Sequence, residues 1–318
     1  MKAVIIGACG ANARHHIRAY KALNVEIAAI VDVNENGKKL AAEIGAEFFT
    51  DFRSINSSIC DVASVSLPPY LHPLVTTQLL KNQVHVLCEK PISCTVKDGK
   101  PLRAVLASSK AKLMVGFSMR FDQRFIALRK LVQSGVFGDV LYINARYSAA
   151  SSFAGLWRAD PEKGGGIFLV NSIHFMDLIP WMIGKNVVSV DAYGGSAFQK
   201  EKAEDNGVIC LKHQGGCLTM ASGHYWPFKE SEVVFEVIGT KARALLEKDA
   251  VVLHKAGSEK ERIPCGGNMI EEEIKYFIDC IRTGSPPCPS LDESLKATHL
   301  IECAKNSVLK EQRIWIQN

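Results

Sequence analysis

The sequence predicts an α/β protein of two domains, a doubly wound parallel sheet followed by an α/β domain whose sheet is mostly antiparallel. Three observations carry this. Short β-branched runs alternate with helical patterns as far as residue 118, and the first two runs end at a glycine turn and at an acid. Beyond residue 118, consecutive strand-like runs are joined by glycine-bearing turns. The third is length: 318 residues exceed one ordinary core, and about 100–200 residues per domain favours a division into 1–118 and 119–318.

The run Lys2 to Ile6 is short, apolar and β-branched, as a buried parallel strand should be, and it stops at Gly7. A helix follows over Ala13 to Leu23, where Ile17, Tyr20 and Leu23 recur at helical spacing, and a second strand from Glu26 to Val31 stops at Asp32. The alternation continues with a helix near Lys38–Ile44, a strand at Val62–Ser66, a helix at Leu74–Lys81 and a strand at Val84–Cys88. A helix around Lys97–Ser108 and a strand at Lys112–Gly116 complete the first domain. Parallel strands need such crossovers, and their right-handedness makes the doubly wound sheet the leading topology.

The second domain opens with a helix at Arg124–Ser134. Strands are expected at Val140–Tyr147, Val187–Tyr193, Gly207–Lys212, Cys217–Ser222, Val233–Ile238, Ala244–Glu247 and Val251–His254. Helices at Ser172–Met182, Ile270–Arg282 and Asp292–Lys310 should cover one face.

Composition narrows the function classes. Hydrophobic residues make up 47% and charged residues 22%, enough to bury a large core and contrary to disorder. The net charge of +5 is scattered and not gathered into a basic stripe, so no nucleic-acid partner is expected. No window approaches about 18 uninterrupted apolar residues and the N-terminus lacks a signal-peptide core, so no membrane span is expected either. Ten cysteines without a CxxC pair read as reduced thiols in a cytoplasmic protein.

The turn Gly7-Ala8-Cys9-Gly10-Ala11-Asn12-Ala13 is a relaxed dinucleotide fingerprint. Gly7 and Gly10 allow a tight turn, and the backbone of Ala11 and Asn12 opens a helix whose N-terminus favours a pyrophosphate. Asp32 lies 22 residues after Gly10, where an acid accepts hydrogen bonds from the adenosine ribose and repels a 2′-phosphate. That favours NAD, while Lys38 is close enough in sequence to leave NADP open. Asp32 could instead serve as a turn acid or helix cap.

At Cys88-Glu89-Lys90-Pro91 the chain resembles the glucose-fructose oxidoreductase and inositol dehydrogenase (Gfo/Idh/MocA) family. Pro68-Pro69-Tyr70-Leu71-His72 is similar to the family's proline-rich turn before a histidine on the nicotinamide side, and Gly116 to Phe121 matches its domain junction. Trp157-Arg158, Gly164-Gly165-Gly166, Ile173-His174 and Asp177 look like its substrate-side segment, and Val237 to Thr240 and Ile281 to Pro287 extend the likeness along essentially the whole chain. The resemblance implies a Rossmann domain and a second domain with a large open sheet that carries a homodimer or homotetramer interface. It also implies cofactor contacts from Pro68, His72 and Glu89. One departure stands out: many members have an aspartate four residues before the helix histidine, and this chain has Val170 there, followed by Asn171.

Oxidation of a secondary alcohol needs a hydride acceptor, a base and a positive group at the developing alkoxide. His174 is the expected base, because an imidazole titrates near neutrality. Lys90 follows a strand of the parallel sheet, where ligands collect, and its ammonium suits the reacting oxygen. Glu89 would touch the cofactor, orient Lys90 or form a structural ion pair. Arg120, Trp157, Arg158, Asn171 and Tyr225 are substrate-pocket candidates, since aromatic faces and hydrogen-bonding side chains suit sugars and polyols. His15, His16, His72 and His174 are not spaced as a metal quartet, and no metal is expected. The expected activity is NAD(P)-dependent oxidation of a sugar, cyclitol or related alcohol. The alternative is a dinucleotide-binding regulator or scaffold of the same fold, against which the retention of Lys90 and His174 argues.

Overall fold

The computed structural model describes residues 1–10, 12–150 and 156–316. In chain order the first elements are β1 (Lys2–Ile6), α1 (Ala13–Ala22), β2 (Glu26–Val31), α2 (Asn36–Ile44), β3 (Glu47–Phe49), β4 (Val62–Val65), α3 (His72–Lys81), β5 (His85–Glu89), α4 (Val96–Gly99), α5 (Leu102–Ser108) and β6 (Leu113–Gly116). There follow α6 (Gln123–Gln133), β7 (Val140–Ala150), a π-helix (Phe168–Ser172), α7 (Ile173–Ile183), β8 (Val187–Gly195), β9 (Asn206–His213), β10 (Leu218–Trp226), β11 (Glu232–Gly239), β12 (Ala242–Leu246), β13 (Ala250–Lys255) and β14 (Lys260–Pro264). The chain ends with α8 (Met269–Thr283), α9 (Leu291–Lys310) and β15 (Ile314–Trp315).

One compact unit comprises Met1–Ser118 with Asn268–Leu295, the other Met119–Gly267 with Lys296–Asn318. A division after residue 118 alone assigns 268–295 to the second domain, whereas those residues pack in the first. The reason is the apolar face of α8: Ile274, Phe277 and Ile278 are buried, and the helix lies against α1 and β5.

The first unit holds a six-stranded parallel sheet in the order β3-β2-β1-β4-β5-β6. Val4, Ile5, Val62, Ala63, Val86 and Leu87 are fully buried, as strands covered on both faces require. The order reverses between β1 and β4, which puts the ligand crevice at the carboxyl ends of those strands. The single helix expected over Lys97–Ser108 is two short ones, because Pro101 has no N–H to continue the first. Thr95 caps the first of these, its Oγ1 accepting the Asp98 N–H.

The second unit holds a nine-stranded sheet in the order β14-β13-β12-β11-β7-β10-β9-β8-β15, antiparallel throughout except for the parallel pair β7 and β10. Along β10, Thr219, Ala221, Gly223 and Tyr225 face inward, and the strand packs on the π-helix; Leu218 and Met220 alternate outward. Sequence patterning missed β3, β14 and β15: β14 has no buried residue and β15 has two residues, so neither shows a period-2 signal. The stretch Pro161–Ile183 is apolar and long enough by composition to cross a bilayer, yet 72% of its most apolar window is buried inside the protein. It is a core element.

Candidate active site

The glycine turn lies where the sheet order reverses. Gly7 has φ +80°, and a Cβ there would come within 2.5 Å of the Ser66 carbonyl at the end of β4, so only glycine lets the two strand ends approach. The Gly7 N–H donates to Val31 O and the Gly10 N–H to Gly7 O, closing the turn. Asp32 then fastens it: Oδ2 accepts the Cys9 N–H at 2.8 Å and Oδ1 the Asn34 N–H at 2.9 Å. Asp32 therefore acts as a turn acid, and each carboxylate oxygen keeps a lone pair for a ribose hydroxyl. Ala11 lies outside the described residues.

These residues fit a dinucleotide. Helix α1 starts at Asn12 with no side-chain cap and no acid in its first turn, so its leading N–H groups and positive end are open to a pyrophosphate. Burial and the neighbouring Asp32 push the Cys9 thiol up to about 11, which keeps it uncharged beside that anion. Pro68, extended after β4, begins the adjoining turn.

His72 opens α3. It is buried, with Nδ1 2.6 Å from Pro91 O and Nε2 2.8 Å from Leu67 O. Carbonyls of the turn after β4 and of the turn after β5 thus face the two ring nitrogens, and a neutral ring donates to one of them. Burial pulls its imidazole below the ordinary value, opposed by the two carbonyls and by Glu89.

Glu89 ends β5 and is buried. Burial alone would raise its carboxyl, but the hydrogen bond and charge of His16, then Lys90 and His72, hold it below the usual carboxylate range. His16 Nε2 lies 3.0 Å from Glu89 Oε1, and the other ring nitrogen lies 3.0 Å from Ser64 Oγ, which is 2.9 Å from the Tyr20 hydroxyl. Sequence reading used Tyr20 for helical spacing and weighed His16 as a metal ligand, but gave neither of them, nor Ser64, a place beside Glu89. The signal was the i, i+4 spacing of His16 and Tyr20 on one face of α1, pointing at a serine inside an otherwise apolar strand. Lys90 follows directly, at the carboxyl edge of the sheet.

In the second unit the substrate-side candidates gather around the π-helix. Gly166 has φ +98°, and a Cβ there would run into the Glu204 carboxylate, whose Oε1 accepts the Phe168 N–H at 3.3 Å. This explains the glycine run: it lets an acid sit against the positive end of the helix. Asn171 lies in the π-turn, Oδ1 accepting from the Tyr225 hydroxyl at 3.3 Å, with Tyr147 also bonded to it. Burial raises both phenols, so they remain protonated. His174 lies in the first turn of the following α-helix and is buried. The Ile173 N–H reaches back to Phe168 O, an i→i+5 bond. The α-helical angle of about 100° per residue therefore does not describe how Asn171 and Val170 are turned relative to His174.

Arg120 lies just ahead of α6. It is buried, its Nε 2.7 Å and Nη2 2.6 Å from the two Asp177 oxygens and its guanidinium over Trp181. A bidentate partner neutralises it, so it anchors α7. Arg158 lies over the Trp157 ring, 4.8 Å from its centre, in a 3-10 turn just ahead of the glycines.

The sheet order, the glycine turn and the open helix end define a dinucleotide-binding fold. Residues 1–117 match the oxidoreductase family with an NAD-binding Rossmann fold, and residues 125–245 match the GFO/IDH/MocA C-terminal domain. The chain belongs to the GFO/IDH/MocA oxidoreductase family. It is 27% identical over 303 residues to a myo-inositol 2-dehydrogenase of Thermotoga maritima, covering 90% of this chain and 89% of the relative. It is 26% identical over 308 residues to an inositol 2-dehydrogenase of Rhizobium meliloti, covering 91% and 92%. Among solved structures it superposes on a levoglucosan dehydrogenase in complex with NADH and L-sorbose with a TM-score of 0.90 at 18% identity, over 100% of this chain and 99% of that one.

Proposed function

We propose that this NAD-binding oxidoreductase moves a hydride between a secondary alcohol of a sugar, cyclitol or sugar derivative and its cofactor, with Lys90 and His174 assisting the proton. The observation that carries the reading is the place of Lys90, directly after β5 at the carboxyl edge of the cofactor-binding sheet and beside an ionised Glu89. NAD supplies the hydride acceptor when bound. The Lys90 ammonium hydrogen-bonds the reacting oxygen and lowers the cost of its ionisation. The His174 imidazole takes the hydroxyl proton. Asn171, held by two tyrosines, and the stacked Trp157 and Arg158 supply amide, aromatic and guanidinium contacts to hydroxyls. Val170 has no group that binds or moves a proton, so His174 works without a carboxylate at that place. Gly7, Gly10, Ala11, Asn12, Asp32 and Pro68 hold the cofactor.

The inositol dehydrogenases among the relatives support a polyol substrate. We assign the outward face of the nine-stranded sheet, with exposed Leu218 and Met220, to a homodimer or homotetramer contact. The ten cysteines of the chain fit a reducing, cytoplasmic setting.

The test follows absorbance of reduced cofactor while the protein meets NAD or NADP with inositols, hexoses, other polyols and sugar nucleotides. Turnover with at least one is expected. Lys90→Met and His174→Ala should each remove at least about 99% of it, the usual scale for losing acid–base help, with cofactor affinity unchanged. Tight NAD binding without turnover on any alcohol would sink the enzyme reading, and undiminished rates in both variants would sink the mechanism.

A further inference from the structure

Behind Lys90 lies a buried string of polar groups with no exit. Tyr20, Ser64 and His16 are all fully buried, and Glu89 is nearly so. An ionised Glu89 only accepts, so His16 Nε2–H donates to Oε1, while Ser64 Oγ bridges His16 Nδ1 and the Tyr20 hydroxyl.

The string cannot carry protons to solvent, because it ends at a buried phenol that burial pushes far above its ordinary value. What it can do is fix a charge. A second acid lies near: Glu273 of α8 is buried, neither of its oxygens has a hydrogen-bond partner, and burial and the Glu89 charge raise it well above the usual carboxylate range. Glu273 therefore holds its proton while Glu89, the one served by a donor, holds the negative charge. The other groups facing Glu89 are Lys90 and His72, with the neutral Cys88 thiol before it in the strand.

We propose that His16 and Ser64 are positioning residues for Lys90: the oriented His16 donor keeps the Glu89 carboxylate ionised and still, and that fixed anion holds the lysine ammonium charged and in place. The inference rests on the assignment of Lys90 to the reacting oxygen. With His16 removed, burial dominates at Glu89, which then takes up a proton at higher pH and no longer attracts its neighbour.

Two readouts test this. In protein labelled with 13C at glutamate carboxyls, the Glu89 signal of the parent should stay ionised into the acid range, and in His16→Leu its titration should move upward. In His16→Leu, kcat/KM should gain an acid limb at that same midpoint, falling about tenfold per pH unit below it. His16→Gln, which keeps a donor near the Nε2 position, should restore both, and the new limb should vanish in His16→Leu/Glu89→Gln. Ser64→Ala, the milder change, should move the Glu89 signal in the same direction by less, and it decides the matter if His16→Leu does not fold. An unmoved Glu89 titration overturns the proposal, and so does a uniform loss of rate at every pH, the mark of a packing role. If the parent turns over no alcohol, the function assigned to Lys90 fails, while the carboxyl titration still decides whether His16 keeps Glu89 ionised.

Discussion

Single residues in this protein take their roles from who donates to them. Asp32 and Glu89 are both acids at the carboxyl ends of parallel strands, and the acid at each place was legible in the sequence. Their partners were not, since Cys9 N–H, His16 and Ser64 come from other elements. Arg120 and His72 likewise meet partners from elsewhere in the chain: Asp177 binds the guanidinium and two backbone carbonyls face the imidazole. Glu273 yields a prediction at this scale. Its carboxyl is raised in the folded protein and ordinary in the unfolded chain, so the folded state holds the extra proton above about pH 4.5 and stability falls as pH rises through that window, by about 1.4 kcal/mol per unit. Glu273→Gln removes this loss. The difference in melting temperature between variant and parent, followed by scanning fluorimetry, should therefore grow as the pH rises above the ordinary carboxylate range. A flat difference would mean that Glu273 is ionised in the folded state.

At the scale of elements, period and punctuation identified most strands and helices, and failed where an element owes its shape to a neighbour. The helix expected from Ser172 begins earlier, with a π-turn over Phe168–Ser172, because Gly166 and Glu204 fix its start. An i→i+5 turn has no sequence period of its own, so the facing of Val170 and Asn171 could not be read from spacing. Gly166→Ala tests the device. The added Cβ meets the Glu204 carboxylate at a φ that alanine resists, and the variant should lose roughly 1–3 kcal/mol in urea unfolding. Adding Glu204→Ala should return the part due to the clash and leave the backbone part. Parent-like stability in Gly166→Ala would show that the helix start relaxes freely.

For the whole molecule, the outward face of the second sheet carries the remaining prediction. Leu218 is 50% exposed and Met220 36% on the same strand, apolar side chains that a second copy would cover. Sedimentation should find the parent as a dimer or tetramer, and Leu218→Glu with Met220→Lys should shift it toward monomer; a parent that sediments as a monomer at micromolar concentration overturns the assignment. By itself the sequence determined the fold class, the dinucleotide site, the family likeness and the place of Lys90 at the end of a strand. These rest on local period, on glycine and proline, and on short contiguous motifs, which a linear chain displays directly. Tertiary structure alone decided the return of α8 to the first unit, the carbonyls that face His72, the neutralisation of Arg120 and the division of charge between Glu89 and Glu273. In each case the deciding partner lies far along the chain, and protonation depends on the donors and burial that folding brings to one point.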